Sequence, residues 1–93
     1  MSAPEVRTIV CANLSEGKVL YIYPNDTHLS EAQLILARLQ SRGMSTMQRE
    51  KISTNKGLWN CTLNKNDIAL LGLTNLDYPE RHAFALLNVL ILF

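Results

Sequence analysis

Leu63-Asn64-Lys65-Asn66-Asp67-Ile68-Ala69-Leu70-Leu71-Gly72-Leu73 is the stretch that decides how many strands this chain offers to a sheet. Its local signals read as a short helix. Asn64 suits a helix start, because its side-chain oxygen can accept a free first-turn amide. Leu63 and Ile68 flank that start at the spacing of a hydrophobic staple. Gly72 followed by Leu73 has the form of a glycine stop. On this reading the sheet is confined to the residues before Asn64.

Upstream of this stretch, Leu58 to Leu63 alternates. Trp59, Cys61 and Leu63 fall on one side, Asn60 and Thr62 on the other, as in a half-buried strand. Thr54-Asn55-Lys56-Gly57 is a turn signal, so 45–53 and 58–63 form a hairpin whose polar first strand belongs at an edge. Further upstream, Ser30 and Gln33 have capping-box spacing, with Leu29 and Leu34 as a staple and Glu31 near the positive helix end. Ala32, Ile35, Leu36 and Leu39 recur at helical spacing. Arg38 and Arg42 suit the negative end, Gly43 the left-handed stop, and Met44 can fold back on Leu39. The chain opens with a first hairpin. Val6–Ala12 and Lys18–Tyr23 are rich in β-branched and apolar residues, Asn13–Gly17 is turn-rich, and Pro24 ends the second strand.

Downstream, Asp77 or Tyr78 caps a last helix with Pro79 in its first turn and Glu80 after it. Residues 89–93 are also readable as a buried strand. The order is β-β-α-β-β-α-α. It implies an α+β fold in which two β-hairpins form a small antiparallel sheet, packed on one face by two to three helices. At 93 residues the chain is expected to be a single domain over 1–93, with 1–5 a loose N-terminus.

Composition places the chain among globular proteins, with 47% hydrophobic and 18% charged residues. That excludes disorder, collagen-like repeats and a disulfide framework. The N-terminus lacks a basic segment followed by an apolar run, so no secretory signal is expected. The apolar run from Ala83 to Phe93, broken only by Asn88, is short of the roughly 20 residues a spanning helix needs. Cys11 and Cys61, without a CxxC pattern, read as reduced thiols of a cytoplasmic protein. The sequons at Asn13, Asn25 and Asn60 are therefore discounted.

Signals for catalysis are thin. His28 and His82 belong to no HExxH or Cys/His cluster. Glu31, Asp67, Asp77 and Glu80 sit where helix starts already explain them. Gly17, Gly43, Gly57 and Gly72 are isolated, so no phosphate loop is present. The expectation is a protein that is not an enzyme, holds no metal and needs no cofactor.

Two features point to contact with another molecule. Net charge is +1, yet the segment from Arg38 to Lys65 holds six bases and one acid, a local balance of +5. If its strand lies beside the end of the first helix, the segment forms a basic face for phosphates or an acidic protein. A pI near 7.8 and the lack of basic-aromatic interleaving argue against nucleic acid. The second feature is the apolar tail, which must be enclosed by the domain or covered by a partner. The candidate interaction surface is Arg38, Arg42, Arg49, Lys51, Lys56, Trp59, Phe84, Leu87, Ile91 and Phe93. Tyr21 and Tyr23 share a strand face beside Pro24 and form a smaller aromatic cluster.

The runs Lys18-Val19-Leu20-Tyr21-Ile22-Tyr23-Pro24 and Gly57-Leu58-Trp59-Asn60-Cys61-Thr62, with the chain length, resemble the small early proteins of temperate lambdoid phages. Among these the chain is most similar to the anti-RecBCD accessory proteins of P22-like phages. The resemblance implies a non-enzymatic protein in the host cytoplasm. It would bind the host recombination nuclease complex, protect phage DNA ends and favour phage recombination. The resemblance carries no site residues. A small nucleic-acid-binding protein using the basic segment 38–65 is the alternative expectation.

Overall fold

The computed structural model describes residues 5–23, 26–46 and 48–91. Its elements are β1 (Val6–Asn13), β2 (Lys18–Tyr23), α1 (Leu29–Arg42, entered through a 3-10 turn at Asp26–His28), β3 (Arg49–Thr54), β4 (Gly57–Leu63), β5 (Ile68–Thr74) and α2 (Glu80–Ile91). The five strands form one antiparallel sheet in the order β2-β1-β5-β4-β3. The α+β class expected from the sequence holds, with five strands where four were expected.

The extra strand is β5, in the stretch expected to be helical. It lies at the sheet's centre, between β1 and β4. Every residue from Ala69 to Thr74 is buried. A strand covered on both faces reads as a continuous apolar run without alternation, and this makes it hard to tell from a helix. The start signal was also ambiguous. Asn64 Oδ1 accepts the amides of Asn66 at 2.8 Å and Ile68 at 2.9 Å, so it caps a turn. Asp67 takes a left-handed conformation to close that turn, with φ at 66°. Leu63 and Ile68 bracket this turn, with Leu63 opposite Ala69 in the β4–β5 ladder. Gly72 sits mid-strand, where a Cβ would touch Leu87 of α2 at 3.5 Å.

The helices lie on opposite faces, which corrects the expectation that one face carries them all. Ala32, Ile35, Leu36 and Leu39 of α1 pack with Val10, Ala12, Ile52, Trp59, Cys61, Leu63, Ala69, Leu71 and Leu73. Phe84 and Leu87 of α2 pack with Leu70 and Cys11. Strand alternation separates the two sets, since neighbouring residues point to opposite faces. The covering by α2 also buries Asn60 and Thr62, expected on the open side of a half-buried strand.

The two expected hairpins form, the second with its first strand at Arg49–Thr54 where 45–53 was expected. β1 and β2 are joined by the turn after Asn13, and the β3–β4 link tightens to Asn55–Lys56. Gly57 is required there: its φ is 140°, and a Cβ would come within 2.2 Å of the Thr74 carbonyl oxygen. β3 is an edge strand, as expected. α1 starts earlier than its capping box implied. His28 occupies the cap position without a side-chain cap bond, so Ser30 lies inside the first turn. Leu34 is 71% exposed and buries little against Leu29. Gly43 does stop the helix, donating its amide to Leu39 O at 3.0 Å with φ at 75°. Met44 packs against the same cluster as Leu39. α2 begins at Glu80, so Pro79, expected in the first turn behind a cap at Asp77 or Tyr78, itself takes the cap position, its carbonyl accepting from His82 and Ala83. The chain is helical through Ile91, which settles residues 89–91; 92 and 93 lie outside the described residues. So do Pro24 and residues 1–4 of the expected loose start, whereas Glu5 exchanges backbone and side-chain bonds with Asn75.

Urea unfolding tests the central position of β5. Leu71→Ala should remove about 2–5 kcal/mol, the usual cost of truncating a fully buried leucine. Leu34→Ala should change stability by no more than about 0.5 kcal/mol. Equal effects at the two positions would contradict this arrangement.

Candidate interaction surface

The basic segment does not gather on one face. Arg38 and Arg42 lie on α1. Arg49 and Lys51 lie on β3 with their side chains on the opposite side of the sheet, because Arg49 pairs with Thr62 and Lys51 with Asn60. Several of these charges already have partners within the chain. Arg42 Nη1 is 3.6 Å from a carboxylate oxygen of Glu50. The Arg49 guanidinium sits 5.0 Å from the centre of the Phe84 ring, a cation–π distance. Lys51 Nζ donates to Glu80 at 2.9 Å, tying the edge strand to the start of α2. Lys56 lies in the β3–β4 turn, where its carbonyl accepts from the Arg7 guanidinium. The exposed ion pairs contribute little to stability. Their effect here is positional, since they divide the local excess charge between the two faces and one turn.

The apolar candidates are core residues. Trp59, Phe84 and Leu87 are fully buried, so in this fold they cannot serve as contact residues. Trp59 was a candidate because it lies near Lys56, and Phe84 and Leu87 because their run is apolar, but α1 and α2 cover the two sheet faces and bury all three. Trp59 is further fixed by a hydrogen bond. Its Nε1 donates to Glu31 Oε1 at 2.7 Å, and Thr54 Oγ1 donates to the same oxygen at 2.6 Å. This carboxylate links α1 to β3 and β4 and satisfies a buried indole. The side chain of Ile91 and the whole of Phe93 lie outside the described residues.

Leu34, Leu76 and Val89 are exposed on separate elements, whereas two exposed aromatic residues share the face of the first hairpin beside α2. Tyr21 and Tyr23 are 59% and 57% exposed. Their ladder partners are Cys11 and Ile9, which places them on the α2 side of the sheet. A cleft of about 310 Å³ lies there, lined by Val6, Arg7, Thr8, Ile9, Tyr23 and Leu86. The sequence indicates the tyrosines through their alternation. Val6, Ile9 and Leu86 are found only once the ladder places Ile9 opposite Tyr23 and the fold brings α2 alongside.

Both thiols sit where the thiolate is disfavoured. Burial, with a contribution from the nearby Glu50 carboxylate, pushes Cys61 up to about 12. Burial also raises the half-exposed Cys11. A raised thiol pKa lowers the thiolate fraction and with it nucleophilicity. Among the described residues no group of three or more His, Cys, Asp or Glu side chains could hold a metal ion. No described helix is long and apolar enough to cross a membrane. No family model, curated protein or solved structure matches the chain.

Two experiments test this site. In the native protein at about pH 8, a thiol reagent should modify Cys11 first and Cys61 only on unfolding. Because folding raises the Cys61 pKa, its contribution to stability is intact below the ordinary thiol range and fades as pH climbs from about 9 toward 12. Rapid modification of both native thiols would contradict the burial. The second experiment is a double-mutant cycle. Glu31→Ala should cost about 1–3 kcal/mol by leaving the indole N–H without an acceptor, and less in a Trp59→Phe background. Equal costs in both backgrounds would show that the bond contributes nothing.

Proposed function

We propose that this protein is a non-enzymatic binding module that attaches to a host protein and modulates it. The observation that carries this reading is the exposed aromatic face of the β1–β2 hairpin, where Tyr23 lines a cleft with Val6, Ile9 and Leu86 and Tyr21 lies on the same strand face. Tyrosines presented on a rigid sheet beside an apolar cleft suit protein recognition. Their large amphipathic rings lose little conformational freedom on contact, and aromatic anchors dominate binding energy at interfaces.

The likeness of the Lys18–Pro24 and Gly57–Thr62 runs to anti-RecBCD accessory proteins narrows the partner to the host recombination nuclease complex. The protein would then act in the host cytoplasm, protect phage DNA ends and favour phage recombination. The nucleic-acid reading of segment 38–65 is the weaker one. Arg49 and Lys51 face away from the α1 side and are held by Phe84 and Glu80, so duplex phosphates would meet no continuous basic strip.

Titration into purified recombination nuclease, reading both binding and degradation of linear duplex DNA, tests the proposal. Stoichiometric binding with altered nuclease activity is expected. Tyr21→Ala combined with Tyr23→Ala should weaken binding at least tenfold, or about 1.4 kcal/mol. An absence of binding removes this partner, and full affinity in the double variant removes the aromatic face as the contact.

A further inference from the structure

Among the described residues β2 is an edge strand, bonded to β1 alone. The opposite edge, β3, carries Arg49, Glu50 and Lys51, the kind of charge that guards a strand against new partners. β2 has one charge, Lys18, followed by Val19-Leu20-Tyr21-Ile22-Tyr23. An open groove of about 610 Å³ runs beside it, bordered by Leu29 and Gln33 of α1, so the helix flanks this edge without covering it.

The edge is also kinked. Cys11 pairs with Tyr21 and Ala12 with Val19, so Leu20 is an inserted residue without a ladder partner, and it is 51% exposed. Insertions of this kind switch the facing of the strand beyond them. Val19 and Ile22 are three residues apart and in a regular strand would face opposite ways. Both pack against the α1-side core. Lys18 and Tyr23 are five apart, and their ladder partners Asn13 and Ile9 place both on the α2 side.

This pattern is complementary to itself. We infer that β2 is the interface between two copies of this chain, paired antiparallel about a two-fold axis between Leu20 and Tyr21. In that register Val19 lies opposite Ile22 of the second copy, both on the α1 side. Lys18 lies opposite Tyr23 of the second copy, both on the α2 side, and the two lysines stand at opposite ends of the pair. Leu20 lies opposite Tyr21, so the two insertions meet at the axis. Centring the pair on Tyr21 sets Val19 against Tyr23, and centring it on Leu20 sets Lys18 against Ile22. Each sets side chains of opposite faces against one another. A register centred between Tyr21 and Ile22 fails in the same way. The proposed register is the one of these that spans β2 end to end with both Val19–Ile22 and Lys18–Tyr23 on matching faces, the inserted Leu20 being absorbed at the axis.

The same geometry selects a second copy over a foreign strand. A regular strand laid on this edge loses facing register at Leu20, whereas an identical strand carries the matching kink. Pairing β2 with the β3 of another copy would leave both remaining edges open and propagate, while the two-fold pair closes. A six-residue strand pair is small beside the about 800 Å² per partner of a stable interface, so the dimer is reversible. The tyrosine rings project from the sheet face rather than along its edge, so the pair sets both aromatic faces side by side. This inference does not depend on the identity of any host partner.

Sedimentation across a concentration series should show a monomer–dimer equilibrium. Leu20→Lys places cations beside the axis and should shift it to monomer, while Leu34→Lys, on an equally exposed leucine of α1, should leave it unchanged. Cross-linking tests the register independently in a Cys11→Ser background. Under mild oxidation a mixture of Lys18→Cys and Tyr23→Cys chains should form a disulfide-linked pair, and neither variant alone should do so. A monomer at every concentration, or cross-linking of either variant with itself as efficient as in the mixture, would overturn the proposal.

Discussion

β5 must be covered on both faces, and most of the architecture answers that constraint. A strand with Leu71 and Leu73 on one side and Leu70 on the other cannot present either side to water without losing about 1.5–3 kcal/mol for each large side chain exposed. The two sides therefore recruit separate helices, and β1 and β4 take the flanking positions that satisfy the strand's backbone. β5, the last strand in the chain, joins the first hairpin to the β3–β4 hairpin by pairing with both β1 and β4.

The two faces differ in chemistry. The α1 face is mainly apolar, and Glu31 anchors it by holding the indole of Trp59 and the hydroxyl of Thr54. The α2 face is mixed. Asn60 donates to Gly72 O and Thr74 Oγ1 beneath the helix, while Leu70, Phe84 and Leu87 supply the apolar contact. Lys51 and Arg49 complete the attachment at the sheet edge, and for that reason the basic segment forms no strip. Charges that look available in the chain are partnered by α2 once it is folded.

What the folded molecule offers to others is on the first hairpin. Its face carries two exposed tyrosines beside a cleft, and its edge carries an unguarded strand with an insertion at Leu20. Face and edge are distinct surfaces of the same six residues. A binding module that doubles through the edge brings two aromatic faces together, and avidity can then exceed what one small patch achieves.

The local elements were legible wherever local physics decides them. The glycine stop at Gly43, the tight turn before Gly57, the start of α2 after Pro79 and both hairpins follow from signals a few residues long. So does the shared face of Tyr21 and Tyr23, since alternation is a property of the strand itself. The identity of β5 was not legible. Asn64 caps a turn as readily as a helix, and an apolar run carries no period once both its sides are buried. The partition of Arg42, Arg49 and Lys51 between faces, and the burial of Trp59, Phe84 and Leu87, were decided by tertiary structure alone. Whether a residue meets water depends on which element lies over it, and that is set by contacts between segments distant in the chain.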